Sequence, residues 1–169
     1  VYTTFSSISG QSIPVMLNTI AADTTIMKNY LTHLPDAFHA FETHWGPYRW
    51  DKVGYSFVPF SSGAMEHASN ITIPLAWINN GALTYEEYAY HELSHHWFGD
   101  LVTTESWANL SLNESFADYS ETLWMTYKYG KDEGDAHWDE TLSKYLNNTY
   151  NEHNLIWFDY SDKEDMFDN

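Results

Sequence analysis

The chain contains no cysteine and only seven lysine and arginine residues among its 169 residues. The absence of cysteine excludes disulfide bonds and thiolate metal ligands, and it leaves the redox compartment open. The net charge of −17 argues against nucleic acid and anionic membranes as partners, because phosphate binding needs lysine and arginine to displace counterions. This charge is compatible with amines or cationic peptides as ligands, although acidic residues that only solvate the surface are the more common explanation.

Long apolar runs are also missing, since none approaches the ~20 residues of a membrane span. Residues 1–5 lack the charged start and apolar core of a signal peptide, and the compartment stays open. Apolar residues nevertheless make up 43% of the chain and aromatic residues 18%, which is enough burial to offset chain entropy. The length suits one domain with its own core.

Residues 91–95 spell His-Glu-Leu-Ser-His, an HExxH motif. On a helix, His91 and His95 lie about one turn (~5.4–6 Å) apart on the same face, so both imidazoles can converge on one ion. Glu92 can reach a water molecule held by that ion, which makes it the candidate general base. Glu114, nineteen positions after His95, supplies a third ligand and leaves a fourth position open, as hydrolytic zinc requires. The pattern predicts one Zn²⁺ ion.

Two further acids follow the third ligand on the same helix face. Asp118 and Glu121 either accept the second ring N–H of a ligand histidine or are solvated acids of the helix surface. His96 points about 100° away from His95 and is expected to be a neighbour of the site, not a ligand. The remaining histidines are scattered and receive no role: His33, His39, His44, His137 and His153.

The spacing of apolar residues predicts both strands and helices. Strands or extended segments are expected over residues 1–5, 13–18, 53–60 and 71–78. Pro59 and Pro74 favour edge positions, since neither can donate to a ladder. Helical spacing covers residues 24–45, where Pro35 either kinks the helix or divides it into two packed pieces.

Three helices are predicted in the second half of the chain. Thr84 and Glu87 form a capping box that opens the helix of the HExxH motif, and Gly99 ends it. A second helix is expected from an Asn113 cap to Gly130, and a third over residues 132–148. The third helix is expected to turn its large apolar residues inward, namely Trp138, Leu142, Tyr145 and Leu146.

Three motifs occur in a fixed order: Gly-Ala-Met-Glu-His at residues 63–67, the run from residue 91 to 103, and Trp-Ala-Asn-Leu-Ser-Leu-Asn-Glu at residues 107–114. Together they resemble the gluzincin aminopeptidases of the aminopeptidase N and leukotriene hydrolase family. The resemblance implies an α+β fold, a thermolysin-like zinc metallopeptidase catalytic domain. In such a domain a small mixed sheet lobe and a helical lobe meet at the active-site helix. Residues 1–169 would then be one domain cut from a parent chain with flanking domains as its partners.

The resemblance also implies roles for matching positions. His91, His95 and Glu114 would be the zinc ligands and Glu92 the base. Glu66 would accept the free α-ammonium group of a peptide, and its set distance from zinc would admit only the first peptide bond. The segment that contains it is a candidate edge for pairing with the substrate backbone, through Gly63, Ala64 and Met65.

The expected function is zinc-dependent removal of N-terminal residues from peptides. Two alternatives remain: an endopeptidase or epoxide hydrolase on the same scaffold, and a folded zinc-binding fragment without activity. His67 replaces the family's asparagine, so strict aminopeptidase specificity is not implied, whereas Ser115, which replaces a glycine, suits a first helical turn. The family's oxyanion-stabilising tyrosine would fall past Asn169, and Tyr160 comes too early to take its place.

Overall fold

A four-stranded mixed sheet forms one side of the structure, a computed structural model. The structure describes residues 2–61, 63–79 and 85–147. Strand β1 (Thr3–Ser6) pairs antiparallel with β2 (Ser12–Asn18), whereas β2, β3 (Val53–Val58) and β4 (Ile71–Pro74) run parallel in that order. The sheet and the helices described below confirm the predicted α+β class.

Two helices connect β2 to β3 and cover one face of the sheet. They are α1 (Thr24–Tyr30) and α2 (Leu34–Trp45), so the helical segment predicted over residues 24–45 is divided into two pieces. Pro35 causes the division because it lies in the first turn of α2, where its missing N–H costs no helical hydrogen bond. Phe5 of β1 stacks on Phe38 of α2 with ring centroids 4.2 Å apart, in the core between sheet and helices.

The extended segment predicted over residues 71–78 is wrong in its second half. Strand β4 ends at Pro74, and Leu75–Asn79 forms the short helix α3. Pro74 thus ends an edge strand of the sheet, as predicted. Pro59 does not lie at an edge, because it follows the inner strand β3, and it is tolerated there because the ladder stops at Val58.

The HExxH residues lie at the end of helix α4 (Glu86–Ser94). The helix ends five residues before Gly99, contrary to the prediction, because the backbone N–H groups of His96 and Trp97 bond to carbonyls three residues back instead of four. His95 keeps helical dihedral angles and therefore stays one turn beyond His91. The predicted cap at Thr84 lies outside the described residues.

Helices α5 (Ser111–Tyr129) and α6 (Lys131–Asn147) follow. Asn113 is not the cap of α5, because a 3₁₀ turn at Trp107–Asn109 leads into the helix two residues earlier. The inward apolar face predicted for α6 is also wrong. Helix α6 packs closely on α5 at Gly134, but its large apolar residues stay exposed beyond this contact, even though the Trp138 ring packs edge-on against Tyr119 of α5 with centroids 5.8 Å apart. The exposed residues are Trp138, Leu142, Tyr145 and Leu146.

Helix α4 lies between the sheet and α5. On the sheet side, the hydroxyl of Tyr55 in β3 donates to the carbonyl of Ala89 at 2.9 Å. On the other side, the Tyr90 ring packs on Trp124 of α5 with centroids 4.6 Å apart. The helix that carries the HExxH residues is therefore fixed by both lobes. None of the described helices is both long and apolar enough to cross a membrane.

Candidate metal centre

Three side chains from α4 and the first turn of α5 converge on one point. The Nε2 atoms of His91 and His95 lie 3.5 and 3.6 Å from the same oxygen, Oε2 of Glu114. Donor atoms held 2.0–2.2 Å from a tetrahedral zinc ion are about 3.3–3.6 Å apart, so the separations of Glu114 Oε2 from the two histidines fit such an ion. The three donors can hold a divalent metal.

The second ring nitrogen of His91 faces two carboxylates of α5. Nδ1 lies 2.9 Å from Glu121 Oε1 and 3.3 Å from Asp118 Oδ1. Burial lowers the pKa of His91, but hydrogen bonds to the acids Asp118, Glu114 and Glu121 outweigh that effect and raise it well above its usual value. The negative charges of these acids therefore favour a positive charge at the His91 ring. A proton supplies that charge, and a metal ion bound to Nε2 would supply it as well.

His91, Asp118 and Glu121 also form a group of metal-binding residue types, and it shares His91 with the first group. A neutral imidazole has only one nitrogen lone pair, so Nε2 and Nδ1 cannot both bind an ion without losing the remaining proton. If Nε2 holds the metal, then Nδ1 carries the proton and donates it to the acids. Asp118 and Glu121 are therefore better suited to holding the ring of a ligand histidine in position than to binding a second ion.

His95 is oriented by the backbone. Its Nδ1 lies 3.0 Å from the carbonyl oxygen of Phe98, which leaves Nε2 to face Glu114. Burial, followed by the positive charge of a protonated His91, lowers the pKa of His95 and favours the neutral ring that binds metals. Gly99 completes this turn with a φ of 130°, and a Cβ atom there would lie only 3.1 Å from Nδ1 of His95.

Glu92 extends from α4 beside the three donors and is buried. Burial raises its pKa to about 8, and the negative charges of Glu66 and Glu114 add to this, while a protonated His91 opposes it. A divalent cation at the three donors would lower this pKa by favouring the carboxylate. The position next to the cluster and the high proton affinity are the properties of a group that takes up and releases a proton.

The segment at residues 63–67 lies along the edge strand β4. Met65 and Thr72 form one antiparallel bridge, with N···O distances of 3.0 and 2.8 Å. This bridge is isolated, and Gly63 beside it has a φ of 76°, so the segment is not a regular strand. Ala64 packs against the core. The negative charge of Glu66 raises the pKa of both Glu92 and His95.

Comparison with known proteins identifies the family. The family model described as "Peptidase family M1 domain" matches residues 30–168. The chain belongs to peptidase family M1. Its similarity to aminopeptidase N of Streptomyces lividans is 46% identity over 81 residues, which are 44% of this chain and 10% of that protein. Its similarity to aminopeptidase B of Rattus norvegicus is 34% identity over 91 residues, 53% of this chain and 14% of that protein.

The M1 fold is also found in solved structures. A crystal structure of an M1 zinc metallopeptidase from Deinococcus radiodurans aligns with 96% of this chain and 37% of that chain, with a TM-score of 0.73 and 24% identity. At this identity the likeness shows the fold. The M1 chain described here spans 10% and 14% of the two relatives named above.

Sequence reasoning on this M1 chain missed three contributors to the site. The Phe98 carbonyl received no role and Gly99 was expected only to end the helix, because no side-chain pattern marks a backbone acceptor or the space beside it. His137 received no role, yet its Nε2 lies 3.3 Å from Glu121 Oε2. His96, in contrast, turns away from the donors as predicted and places Nδ1 2.7 Å from the hydroxyl of Tyr48.

Proposed function

We propose that this M1 chain binds one Zn²⁺ ion through His91, His95 and Glu114 and supplies the catalytic site of an aminopeptidase. One observation carries the proposal: two histidine Nε2 atoms lie 3.5 and 3.6 Å from a single carboxylate oxygen. The ring nitrogens that face away from Glu114 have hydrogen-bond acceptors, which leaves the Nε2 lone pairs for a metal.

Zinc is the ion that this donor set favours. Two imidazole nitrogens and one carboxylate oxygen make a three-ligand site with a fourth position open, the arrangement of hydrolytic zinc. Copper(I) and iron–sulfur clusters favour sulfur ligands, and the chain has no cysteine to offer. A solved structure with the same fold is named an M1 zinc metallopeptidase, which supports this choice.

Bound zinc supplies a Lewis acid that polarises a carbonyl group and lowers the pKa of a water molecule. The residues of this chain then handle the proton. A carboxylate oxygen of Glu92 takes a proton from the attacking water and gives it to the nitrogen of the leaving amine. The position of Glu92 beside the donors and the effect of burial on its pKa suit both halves of this transfer.

Glu66 is the proposed acceptor for the free α-ammonium group of the substrate. Its charge acts on Glu92 and His95, so an ammonium group held by Glu66 would lie close to the metal donors. A carboxylate held at a set separation from the metal would admit only the first peptide bond of the substrate. The proposed substrates are peptides with a free N-terminus, and the names of the relatives, aminopeptidase N and aminopeptidase B, agree with this class.

The test compares hydrolysis of a peptide with that of its N-acetylated form by the natural protein that carries this sequence. Metal content is measured on the same preparation. Bound zinc together with hydrolysis of the free peptide alone is the expected result. Hydrolysis of both forms would favour an endopeptidase, turnover of an epoxide in place of peptides would favour an epoxide hydrolase, and bound zinc without hydrolysis would leave a zinc-binding domain.

A further inference from the structure

The carboxylate of Glu121 contacts two histidines, one through each oxygen. Oε1 lies 2.9 Å from Nδ1 of His91, and Oε2 lies 3.3 Å from Nε2 of His137. The Glu121 side chain is 11% exposed, so both contacts are largely shielded from bulk water. Glu121 therefore joins a proposed zinc ligand on α4 to a histidine on α6.

The second nitrogen of His137 determines which way its proton points. Nδ1 lies 3.0 Å from the hydroxyl oxygen of Thr122. Because a hydroxyl hydrogen rotates to suit its partner, Thr122 can donate to Nδ1 and leave the proton of a neutral His137 on Nε2. A protonated His137 carries a proton on Nε2 as well. In either charge state His137 donates a hydrogen bond to Glu121.

The approach of α6 to α5 depends on Gly134, one turn before His137. A Cβ atom at this position would collide with the side chain of Thr126 and lie 3.1 Å from its Cα atom. The two helices are therefore closer here than any other residue would permit. This close contact places the His137 ring beside Glu121, whereas the adjacent Trp138 stays 45% exposed with its ring against Tyr119 of α5.

The contact favours the charged form of Glu121. Burial raises the pKa of this carboxylate, but hydrogen bonds from His137 and His91 outweigh burial and hold the pKa below its usual value. The same hydrogen bond raises the pKa of His137. An ionised, doubly hydrogen-bonded carboxylate is a stronger and better oriented acceptor for the Nδ1–H group of His91 than one free to rotate.

We propose that His137 is a positioning residue of the metal site, which fixes the Glu121 carboxylate against Nδ1–H of His91 and thereby strengthens zinc binding. The inference rests on the proposed function in one respect, the binding of zinc by His91, His95 and Glu114. His137 itself touches neither the metal donors nor the substrate. It acts through Glu121, and its effect is measured in zinc affinity.

The experiment measures zinc affinity at one fixed pH by competition with a chromophoric chelator. His137→Leu removes the donor, and we expect zinc to bind about tenfold more weakly, because outer partners of ligand histidines change affinity by about 10–100-fold. His137→Gln keeps an N–H donor and should recover most of the affinity. His39→Leu removes an exposed histidine from another part of the fold and should leave the affinity unchanged.

Circular dichroism and the visible spectrum of the Co²⁺-substituted chain accompany each variant. If His137→Leu does not fold, Thr122→Val decides, since it removes only the hydroxyl that orients His137 and should also weaken binding. Wild-type affinity in the folded His137→Leu or Thr122→Val chain would overturn the proposal, and so would equal losses in the Leu and Gln variants. His95→Ala separates the two hypotheses: if it retains zinc, the metal assignment itself fails.

Discussion

The imidazole rings of His91 and His95 lie 4.9 Å apart, centroid to centroid, with their planes at 72°. Each ring turns Nε2 toward Glu114 and Nδ1 toward a partner of its own, a carboxylate for His91 and a backbone carbonyl for His95. These contacts, together with that of Asp118 Oδ1 to Nδ1 of His91, set the relative orientation of the two rings, which therefore does not depend on the α4 helix alone.

His95→Ala is expected to reduce bound zinc from about one ion per chain to nearly none, because two ligands rarely hold zinc in a protein. Elemental analysis after dialysis measures the content. His39→Ala is the matched control, since it removes an exposed histidine and should retain the ion. Equal zinc in both variants would show that the proposed ligand set is wrong.

Glu92→Gln is expected to retain zinc and to lose hydrolysis by roughly 10²–10⁴-fold or more, because glutamine keeps the shape of the side chain but cannot take a proton at neutral pH. The measurement is kcat on a peptide substrate, together with metal content. A variant with normal zinc and activity within a few-fold of the wild type would exclude Glu92 as the base.

Glu66→Ala is expected to reduce kcat/KM for a peptide with a free N-terminus by about 10–150-fold, since a charge-assisted hydrogen bond contributes roughly 1.5–3 kcal/mol. The N-acetylated form of the same peptide should be affected far less. Glu133→Ala removes an exposed carboxylate of α6 and serves as the control. Equal losses on both peptides would remove Glu66 as the amine acceptor and favour an endopeptidase.

Gly99→Ala is expected to weaken zinc binding as well as stability. The backbone strain of a positive φ costs on the order of 1–3 kcal/mol, and the new methyl group would press on Nδ1 of His95. Gly10→Ala has the same kind of strain, with a φ of 83° and no atom within 4 Å of the new Cβ. Thermal unfolding with and without zinc compares the two. If both variants keep the same zinc-dependent stabilisation, the contact with His95 is unimportant.

The local half of the metal centre was predictable because four-residue spacing on a helix brings His91 and His95 to one face. Helix geometry alone did not predict the third donor, since the separation of Glu114 from His95 along the chain does not show how α5 packs on α4. The need of hydrolytic zinc for a third ligand supplied that expectation, the family resemblance supported it, and the structure places the three donor atoms within 4.8 Å of one another.

Other parts of the structure lay beyond sequence reasoning for a physical reason. Periodicity shows that Trp138 and Leu142 share a side of α6, but it does not show whether another element covers that side. His137 lies sixteen positions after Glu121 on a different helix, so their contact depends on how α6 packs against α5. The observed ends of α4 and α5 differ from the predicted ones, because 3₁₀ turns after Ser94 and at Trp107–Asn109 take the place of the expected caps.

The different acceptors for the two ring N–H groups limit how this centre can vary. The carboxylates beside His91 belong to side chains, so single substitutions can change their charge, length or hydrogen bonding. The acceptor beside His95 is the main-chain oxygen of Phe98, which every amino acid at that position would supply. Substitutions in related sequences should therefore change metal affinity through the partners of His91. The hydrogen bond of His95 should stay the same unless the path of the backbone changes.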